Sequence, residues 1–158
     1  MKRPKTNALR LLEKAGISYV PDEYDVSDGS LDGVSVAHKT GFEANVVFKT
    51  LVAKAADGCV LVFCIPVAAE LDLKKAAKAA GAKSVAMLTV AQITPVTGYV
   101  KGGCSPVGMK KLYTTFIDST AEVLPAIVVS GGRIGLQVQL APQDLLTITK
   151  ASYAQITV

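Results

Sequence analysis

The strongest constraint on the fold is a pair of apolar segments on either side of an Asp57-Gly58 dipeptide. EANVVFKTLVAKA at 43–55 becomes β-branched and aromatic, and CVLVFCIPV at 59–67 has the same character. Such residues favour strands, and Asp-Gly between two of these runs is a signal of a tight hairpin. We therefore predict two antiparallel strands joined at Asp57-Gly58.

The other segments predict helices and strands in mixed order. Helices are expected after Thr6 up to Gly16, at DGVSVAHKTG (32–41), at VAAELDLKKAAKAAGA (67–82, with Glu70 and Asp72 in the first turn) and at PQDLLTITKA (142–151). Strands are expected at ISYVPDEYDV (17–26, at a sheet edge because of Pro21), SVAML (84–88), YTTFID (113–118), AIVVSGG (126–132) and IGLQVQLA (134–141), with SGGR turning between the last two. This order indicates an α+β fold with a largely antiparallel or mixed sheet.

The length and the apolar pattern bound the class of protein. At 158 residues, the chain fits a single domain spanning 1–158. No apolar run approaches the roughly 20 residues of a membrane span. The start, MKRPKTNALRLLEKAG, lacks the apolar middle of a secretory signal. We expect a cytoplasmic protein.

Cysteine and histidine give little support for metal or nucleophile chemistry. Cys59, Cys64 and Cys104 lack the spacing of a zinc site, and His38 is the single histidine. We interpret Cys59 and Cys64 as small core residues on opposite faces of one strand. A nucleophilic Cys104 would have only His38 as a base. We expect no metal and no cofactor.

Positive charge is concentrated in one stretch of the chain. The net charge is +4, and between Leu73 and Ile117 there are seven lysines without any Asp or Glu. Such a distribution favours a polyanionic partner, because lysines that neutralise phosphates release counterions. For Lys74, Lys75 and Lys78 alone, an ordinary solvated helix face is the slightly favoured interpretation.

Lys49 is a site candidate because of its neighbours in VVFKTLV. Period-2 geometry puts Val47, Lys49 and Leu51 on one face, and the other face is also mostly apolar. An ammonium group is costly to bury unless it meets anions or acceptors. The alternative is an edge-strand lysine whose stem packs while its ammonium reaches water.

The stretch GYVKGGCSPVGMKK at 98–111 combines four glycines with three lysines and no acidic residue. Glycine lets backbone N–H groups approach a ligand, and consecutive amides can bind a carbonyl oxygen or an anion. The order of a phosphate-binding loop is absent, as are HExxH, GxSxG and a spaced carboxylate pair. The stretch is therefore a candidate oxyanion-binding loop without a conventional catalytic partner. The alternative is an ordinary connecting loop, because glycine and proline mark any tight loop.

Four motifs occur in a characteristic order and spacing: VFKTLV at 47–52, LDLKKAAKAAGAK at 71–83, GYVKGGCSPVGMKK at 98–111 and VSGG at 129–132. Together they resemble the YbaK/EbsC family, the free-standing relatives of the prolyl-tRNA synthetase editing domain. The resemblance implies a mixed, strongly curved sheet with flanking helices. It also implies a deacylase that acts in trans on mischarged tRNA, most typically Cys-tRNA(Pro).

The same resemblance implies the site residues. Lys49 matches the essential lysine, which would hold the phosphate or ribose of the terminal adenosine. Gly102 leads a GxxxP loop whose backbone would hold the aminoacyl carbonyl, and Tyr19, Thr50 and Ser130 match pocket positions. Gln137 stands where relatives have a carboxylate, which leaves the amino-acid specificity open. The remaining members of the loop are Gly103, Cys104, Ser105 and Pro106, and the lysines expected to contact the RNA acceptor end are Lys101, Lys110 and Lys111.

In this family the substrate's own thiol is thought to attack its ester carbonyl, with hydrolysis by bound water as the competing route. Prolyl-tRNA synthetase is a candidate partner. Two other classes stay open: a non-catalytic module that binds tRNA or a synthetase, and a Schiff-base enzyme that uses Lys49 as a neutral amine. The preferred amino acid, the preferred tRNA and the oligomeric state do not follow from the sequence.

Overall fold

The structure, a computed structural model, describes residues 5–29 and 32–158 and has an α+β fold, as predicted. The helices are α1 (Asn7–Lys14), α2 (Gly33–Thr40), α3 (Leu73–Ala80), α4 (Val90–Thr97) and α5 (Pro142–Thr149), and a 3-10 helix covers Ser119–Val123. The strands are β1 (Val20–Glu23), β2 (Phe48–Ala55), β3 (Val60–Pro66), β4 (Val85–Met87), β5 (Thr114–Asp118), β6 (Ile127–Arg133), β7 (Leu136–Leu140) and β8 (Ser152–Ala154). None of the helices within these residues is long and apolar enough to cross a membrane.

The predicted hairpin is confirmed. Strands β2 and β3 pair antiparallel from Phe48 opposite Pro66 to Lys54 opposite Val60. The turn requires Gly58, whose φ is +93°, and the Asp57 carboxylate accepts a hydrogen bond from the Cys59 N–H at 3.0 Å. The hairpin thus follows from local turn chemistry together with two apolar strands.

The strands form two sheets. One has the order β4-β2-β3-β5-β8, in which β5 and β8 are added parallel. The other has the order β1-β7-β6 and is antiparallel, with β1 and its Pro21 at an edge as expected. A bridge between Val47 and Val128 links the sheets, and the Val128 N–H donates to the Val46 carbonyl at 2.8 Å. The sheets therefore meet beside the start of β2.

Helices cover these sheets through small or branched apolar residues. Leu9 and Leu12 of α1 lie in the core that includes the β6–β7 side chains, and Ala76 of α3 lies in the core that includes Phe63. Asp72 is the N-cap of α3, accepting from the N–H groups of Lys74 and Lys75 at 3.0 Å each.

Several predicted boundaries are wrong. SGGR is part of an irregular end of β6, and the chain reverses at Ile134-Gly135 instead, where Gly135 has a φ of +92°. Glu70 precedes α3, which begins after Asp72. Cys59 is exposed because it precedes β3, whereas Cys64 is fully buried as expected. Helix α4 and strand β8 were not predicted.

Candidate functional site

A cavity of about 280 Å³ lies where the two sheets, α2 and the glycine-rich stretch at 98–111, here called the glycine loop, meet. Strand β2 supplies its floor and the start of β2 joins it to β6. The lining residues are Tyr24, Gly33, Val36, Val47, Phe48, Lys49, Thr50, Leu51, Val67, Lys101, Gly102, Cys104, Val129, Ser130, Leu136 and Gln137. Segments that are far apart in the sequence thus form one site.

Lys49 lines this cavity from β2, opposite Ile65 of β3. Its side chain is half-buried. The ion pairs among residues 5–29 and 32–158 involve Lys5, Lys39 and Arg133, but not Lys49. The Lys49 ammonium therefore has no protein carboxylate as its partner within the described chain, and it stands beside space that a ligand can occupy. Thr50, the next residue, also lines the cavity, and its Oγ1 lies 4.0 Å from Cys64 Sγ.

The loop residues Lys101, Gly102 and Cys104 form another wall of the cavity. The Gly103 N–H donates to the Val100 carbonyl at 2.9 Å, so that amide stabilises the turn itself. In the part of the chain that the structure describes, the N–H groups of Gly102 and Cys104 have no protein acceptor. Amides without a protein acceptor are available to bind a carbonyl oxygen or oxyanion.

Ser105 and Pro106 lie behind the loop and are buried. Ser105 Oγ accepts from the Val107 N–H at 3.2 Å, and the Tyr99 hydroxyl donates to the Val107 carbonyl at 2.7 Å. Neither Ser105 nor Pro106 is among the residues that line the main cavity. The hydrogen bonds of Ser105 and Tyr99 with Val107 stabilise the loop, and Val107 itself lies in the core.

Cys104 lacks the features of an activated nucleophile. Burial raises the pKa of its thiol to about 11, which a hydrogen bond with Thr97 only partly opposes. A nucleophilic cysteine needs a lowered thiol pKa. His38, the only histidine of the chain, is exposed on α2 and does not line the cavity.

The β1-β7-β6 sheet, here called the second sheet, closes the cavity. It contributes Ser130 of β6 and Gln137 of β7, which are direct cross-strand partners. Ser130 Oγ accepts from the Gly132 N–H at 3.2 Å. Gln137 is 3% exposed, and its Nε2 donates to Asp22 Oδ2 at 3.3 Å. Both side chains are polar groups on a wall whose other members, such as Val129 and Leu136, are apolar.

Two sets of expected site residues lie elsewhere. Tyr19 packs against the core that includes α1, and the tyrosine on the cavity wall is Tyr24. Lys101 lines the main cavity, whereas Lys110 and Lys111 line a separate depression on the Pro106 side of the loop. Sequence reasoning also missed Val36 and Val67, for which no local signal was available because any apolar helix or strand residue has the same pattern.

A second, smaller cavity of about 200 Å³ adjoins the first. It shares Thr50, Leu51, Lys101, Gly102 and Cys104 with the cavity and adds the apolar side chains of Val52, Met87, Leu88, Val90 and Ile93. The glycine loop therefore has space on two sides. Among the described residues, no three His, Cys, Asp or Glu side chains come together in a way that could hold a metal ion.

Comparison with known proteins assigns the family. Residues 32–148 match the model of the aminoacyl-tRNA editing domain. The chain belongs to this family. A protein of Enterococcus faecalis with the provisional name Cys-tRNA(Pro)/Cys-tRNA(Cys) deacylase EbsC is 43% identical over 153 residues, which are 97% of this chain and 93% of that protein. The YbaK/EbsC resemblance is thereby confirmed.

Solved structures share the whole fold. A crystal structure provisionally described as a trans-editing enzyme for prolyl tRNA synthetase has 25% identity and a TM-score of 0.83, with 99% of each chain covered. The crystal structure of a hypothetical protein has 20% identity and a TM-score of 0.88, covering 97% of this chain and all of the other. The predicted fold class is confirmed.

Proposed function

We propose that this protein hydrolyses the aminoacyl ester of mischarged tRNA in trans, with Cys-tRNA(Pro) as its substrate. The observation that carries the proposal is the cavity that Lys49, Gly102 and Cys104 line together, where the N–H groups of Gly102 and Cys104 have no protein acceptor among the described residues. A cation and backbone donors in one cavity suit an ester that is attached to a phosphodiester chain. The family match and the name of the 43% identical relative support the same reaction.

The chemistry requires little from protein side chains. The substrate thiol attacks the ester carbonyl carbon, so that a C–S bond forms while the C–O bond to the ribose breaks. The thiol proton ends on the ribose oxygen, and water then opens the resulting thiolactone to release cysteine. Orientation for intramolecular attack supplies several kcal/mol, and backbone donors to the oxyanion add about 3 kcal/mol. Attack by a bound water is the route for amino acids without a thiol.

In this mechanism we assign the roles as follows. The Lys49 ammonium binds the phosphate or the ribose of the terminal adenosine, and the amides of Gly102 and Cys104 bind the ester carbonyl oxygen. Thr50, Ser130 and Gln137 line the space beside the ester, and Lys101 meets the phosphates that enter at the rim of the cavity. A cavity lined mostly by apolar side chains with a few polar groups fits a small amino acid held by few hydrogen bonds.

The test is a deacylation panel with Cys-, Ala-, Ser- and Pro-tRNA(Pro), using the wild-type protein and two matched lysine variants. Lys49→Met removes the ammonium and keeps the length of the side chain. Lys54→Met makes the same change at an exposed position on the same strand, about 16 Å from Lys49 along β2. We expect Lys49→Met to lower kcat/KM on Cys-tRNA(Pro) by about 100-fold or more and Lys54→Met to change it little.

Equal activity in both variants would remove Lys49 from the mechanism. If the wild-type protein deacylates none of the four tRNAs but still binds them, the protein is a binding module and the proposed reaction is wrong.

We also propose that prolyl-tRNA synthetase is the partner that supplies tRNA selectivity, in the cytoplasm where aminoacyl-tRNA is made and used. The description of the 25% identical structure as a trans-editing enzyme for that synthetase supports this. Adding prolyl-tRNA synthetase to the assay should raise the rate on Cys-tRNA(Pro) relative to Cys-tRNA(Cys). An unchanged ratio of the two rates would count against the partnership.

A further inference from the structure

The substrate of the proposed reaction carries an ammonium group next to the ester, and this group needs a place in the cavity. Among the described residues that line the cavity, the charged ones are Lys49 and Lys101, and none is Asp or Glu. Both charges repel an ammonium group. The substrate amine must therefore meet neutral acceptors. The orientation of these groups decides whether they present an acceptor atom or a donor to the amine.

Three polar residues lie side by side across the β1-β7-β6 sheet, and two of them line the cavity. Asp22 of β1 pairs with Gln137 of β7, and Gln137 pairs with Ser130 of β6. Directly paired residues project from the same face of a sheet. Gln137 and Ser130 line the cavity, and Asp22 lies one strand behind them, half-buried at the sheet edge.

The contact between Asp22 and Gln137 determines which way the Gln137 amide faces. Gln137 Nε2 lies 3.3 Å from Asp22 Oδ2. A carboxylate offers only acceptors, so the NH₂ of the amide must face Asp22 and its Oε1 must face away. Among the described residues, no donor reaches Gln137 Oε1, and Gln137 lines the cavity. An acceptor oxygen is thus held toward the substrate space by an aspartate outside it.

We propose that Asp22 is a positioning residue that orients Gln137 so that its Oε1 accepts a hydrogen bond from the α-ammonium group of the aminoacyl ester. This inference rests on the proposed deacylase function and adds a basis for amine recognition at the same site. Ser130 Oγ, on the neighbouring strand, is a second acceptor for the same group. Without Asp22 the amide can rotate and present its NH₂, which repels an ammonium.

The test compares two RNA minihelices that end in the same thiol with and without the amine: a cysteinyl ester and a 3-mercaptopropionyl ester. For each variant we take the ratio of kcat/KM for the cysteinyl ester to kcat/KM for the 3-mercaptopropionyl ester. The readout is this ratio divided by the same ratio in wild type, so that the different intrinsic reactivities of the two esters cancel. We expect Asp22→Ala and Gln137→Met each to lower the ratio by about tenfold or more, chiefly through a higher KM for the cysteinyl ester. Misfolded protein lowers both rates and leaves the ratio unchanged.

Asp25→Ala is the matched control, because it deletes the same side chain from an exposed position of the same segment. Its ratio should equal that of wild type. A ratio for Asp22→Ala within about twofold of wild type overturns the positioning role, and the same result for Gln137→Met overturns the acceptor role. If wild-type protein hydrolyses neither ester, the proposed function fails, which is a different outcome from an unchanged ratio.

Discussion

Gly103 is the loop residue whose lack of a side chain the structure explains most directly. A Cβ at this position would lie 2.7 Å from Ile134 N and 2.8 Å from the carbonyl carbon of Arg133. Both atoms belong to the backbone at the β6–β7 reversal and cannot move aside as a flexible side chain can. The glycine therefore allows the loop to pack against the second sheet, which brings Gly102 and Cys104 to the cavity.

We predict that Gly103→Ala displaces the loop and lowers deacylation of Cys-tRNA(Pro) by about 100-fold or more, because the oxyanion donors move. The control is Gly58→Ala in the β2–β3 turn, where φ is +93° and a Cβ would meet nothing within 4 Å. That change strains the backbone and costs about 1–2 kcal/mol of stability, but it should leave kcat/KM near wild type. Full activity in Gly103→Ala protein would contradict the role of the loop.

Cys104 gives a prediction that separates substrate-assisted chemistry from a protein nucleophile. Because burial raises the pKa of its thiol to about 11, Cys104 stays protonated at neutral pH and its thiolate appears only as the pH rises toward that value. We expect Cys104→Ala to retain deacylation within about tenfold of wild type. Iodoacetamide near neutral pH should modify exposed Cys59 before Cys104, as mass spectrometry can show. Rapid labelling of Cys104 with loss of activity would restore the nucleophile hypothesis.

At the scale of elements, α1 is tied to the irregular end of β6 by one hydroxyl group. Thr6 Oγ1 accepts from the Leu9 N–H at 3.2 Å and donates to the Gly131 carbonyl at 2.5 Å. The first bond caps the helix, and the second holds it against the strand that carries Ser130. A single side chain thus joins local helix stability to the position of a cavity wall.

Thr6→Ala should lower the free energy of unfolding by about 1–2 kcal/mol, since it removes both hydrogen bonds. The thermal midpoint should fall by several degrees, as calorimetry can measure. Thr6→Ser retains the hydroxyl group and is the matched control, for which we expect a much smaller shift. Equal shifts in the two variants would mean that the methyl group, and not the hydroxyl, matters.

Local signals explain which elements could be predicted from the sequence. The hairpin at Asp57-Gly58 and the helix stops at Gly41 and Gly81 need particular residues, and both glycines have positive φ as expected. Helix α4 contains Pro95, which obscures its pattern, although Gln92 Oε1 accepts from the Thr89 N–H at 2.9 Å as in a capping box. Strand β8 has three residues, too few for any periodicity, and exists through its pairing with β5.

At the scale of the whole molecule, the cavity depends on contacts that no local pattern encodes. Lys49 was identified because a charge in an apolar strand is anomalous, and the glycine loop because its composition is unusual. Tyr24 and Asp22 carry no such signal. The place of Asp22 follows from the register of β1 against β7, and Tyr24 directly follows β1, where its N–H donates to the Gly135 carbonyl at 2.9 Å. Family resemblance placed Tyr19 at the pocket, whereas the tyrosine on the cavity wall is Tyr24, five residues further along the chain.

The charge of the whole molecule leads to the last prediction. With a net charge of +4 and lysines on both sides of the loop, binding of the tRNA acceptor end should weaken steeply with salt. A plot of log Kd against log salt concentration reports the number of phosphates that are neutralised. Lys110→Ala and Lys111→Ala should each reduce that slope by about one unit, and Lys101→Ala should do so while also raising KM.

Lys54→Ala is the control, because Lys54 is an exposed lysine at the far end of β2 and its loss changes the net charge equally. If Lys54→Ala reduced the slope as much as Lys110→Ala, only the total charge would matter and the RNA would have no defined path over the loop. A difference between them would instead place the phosphates beside the loop, on the side where Pro106 and Lys110 share a depression.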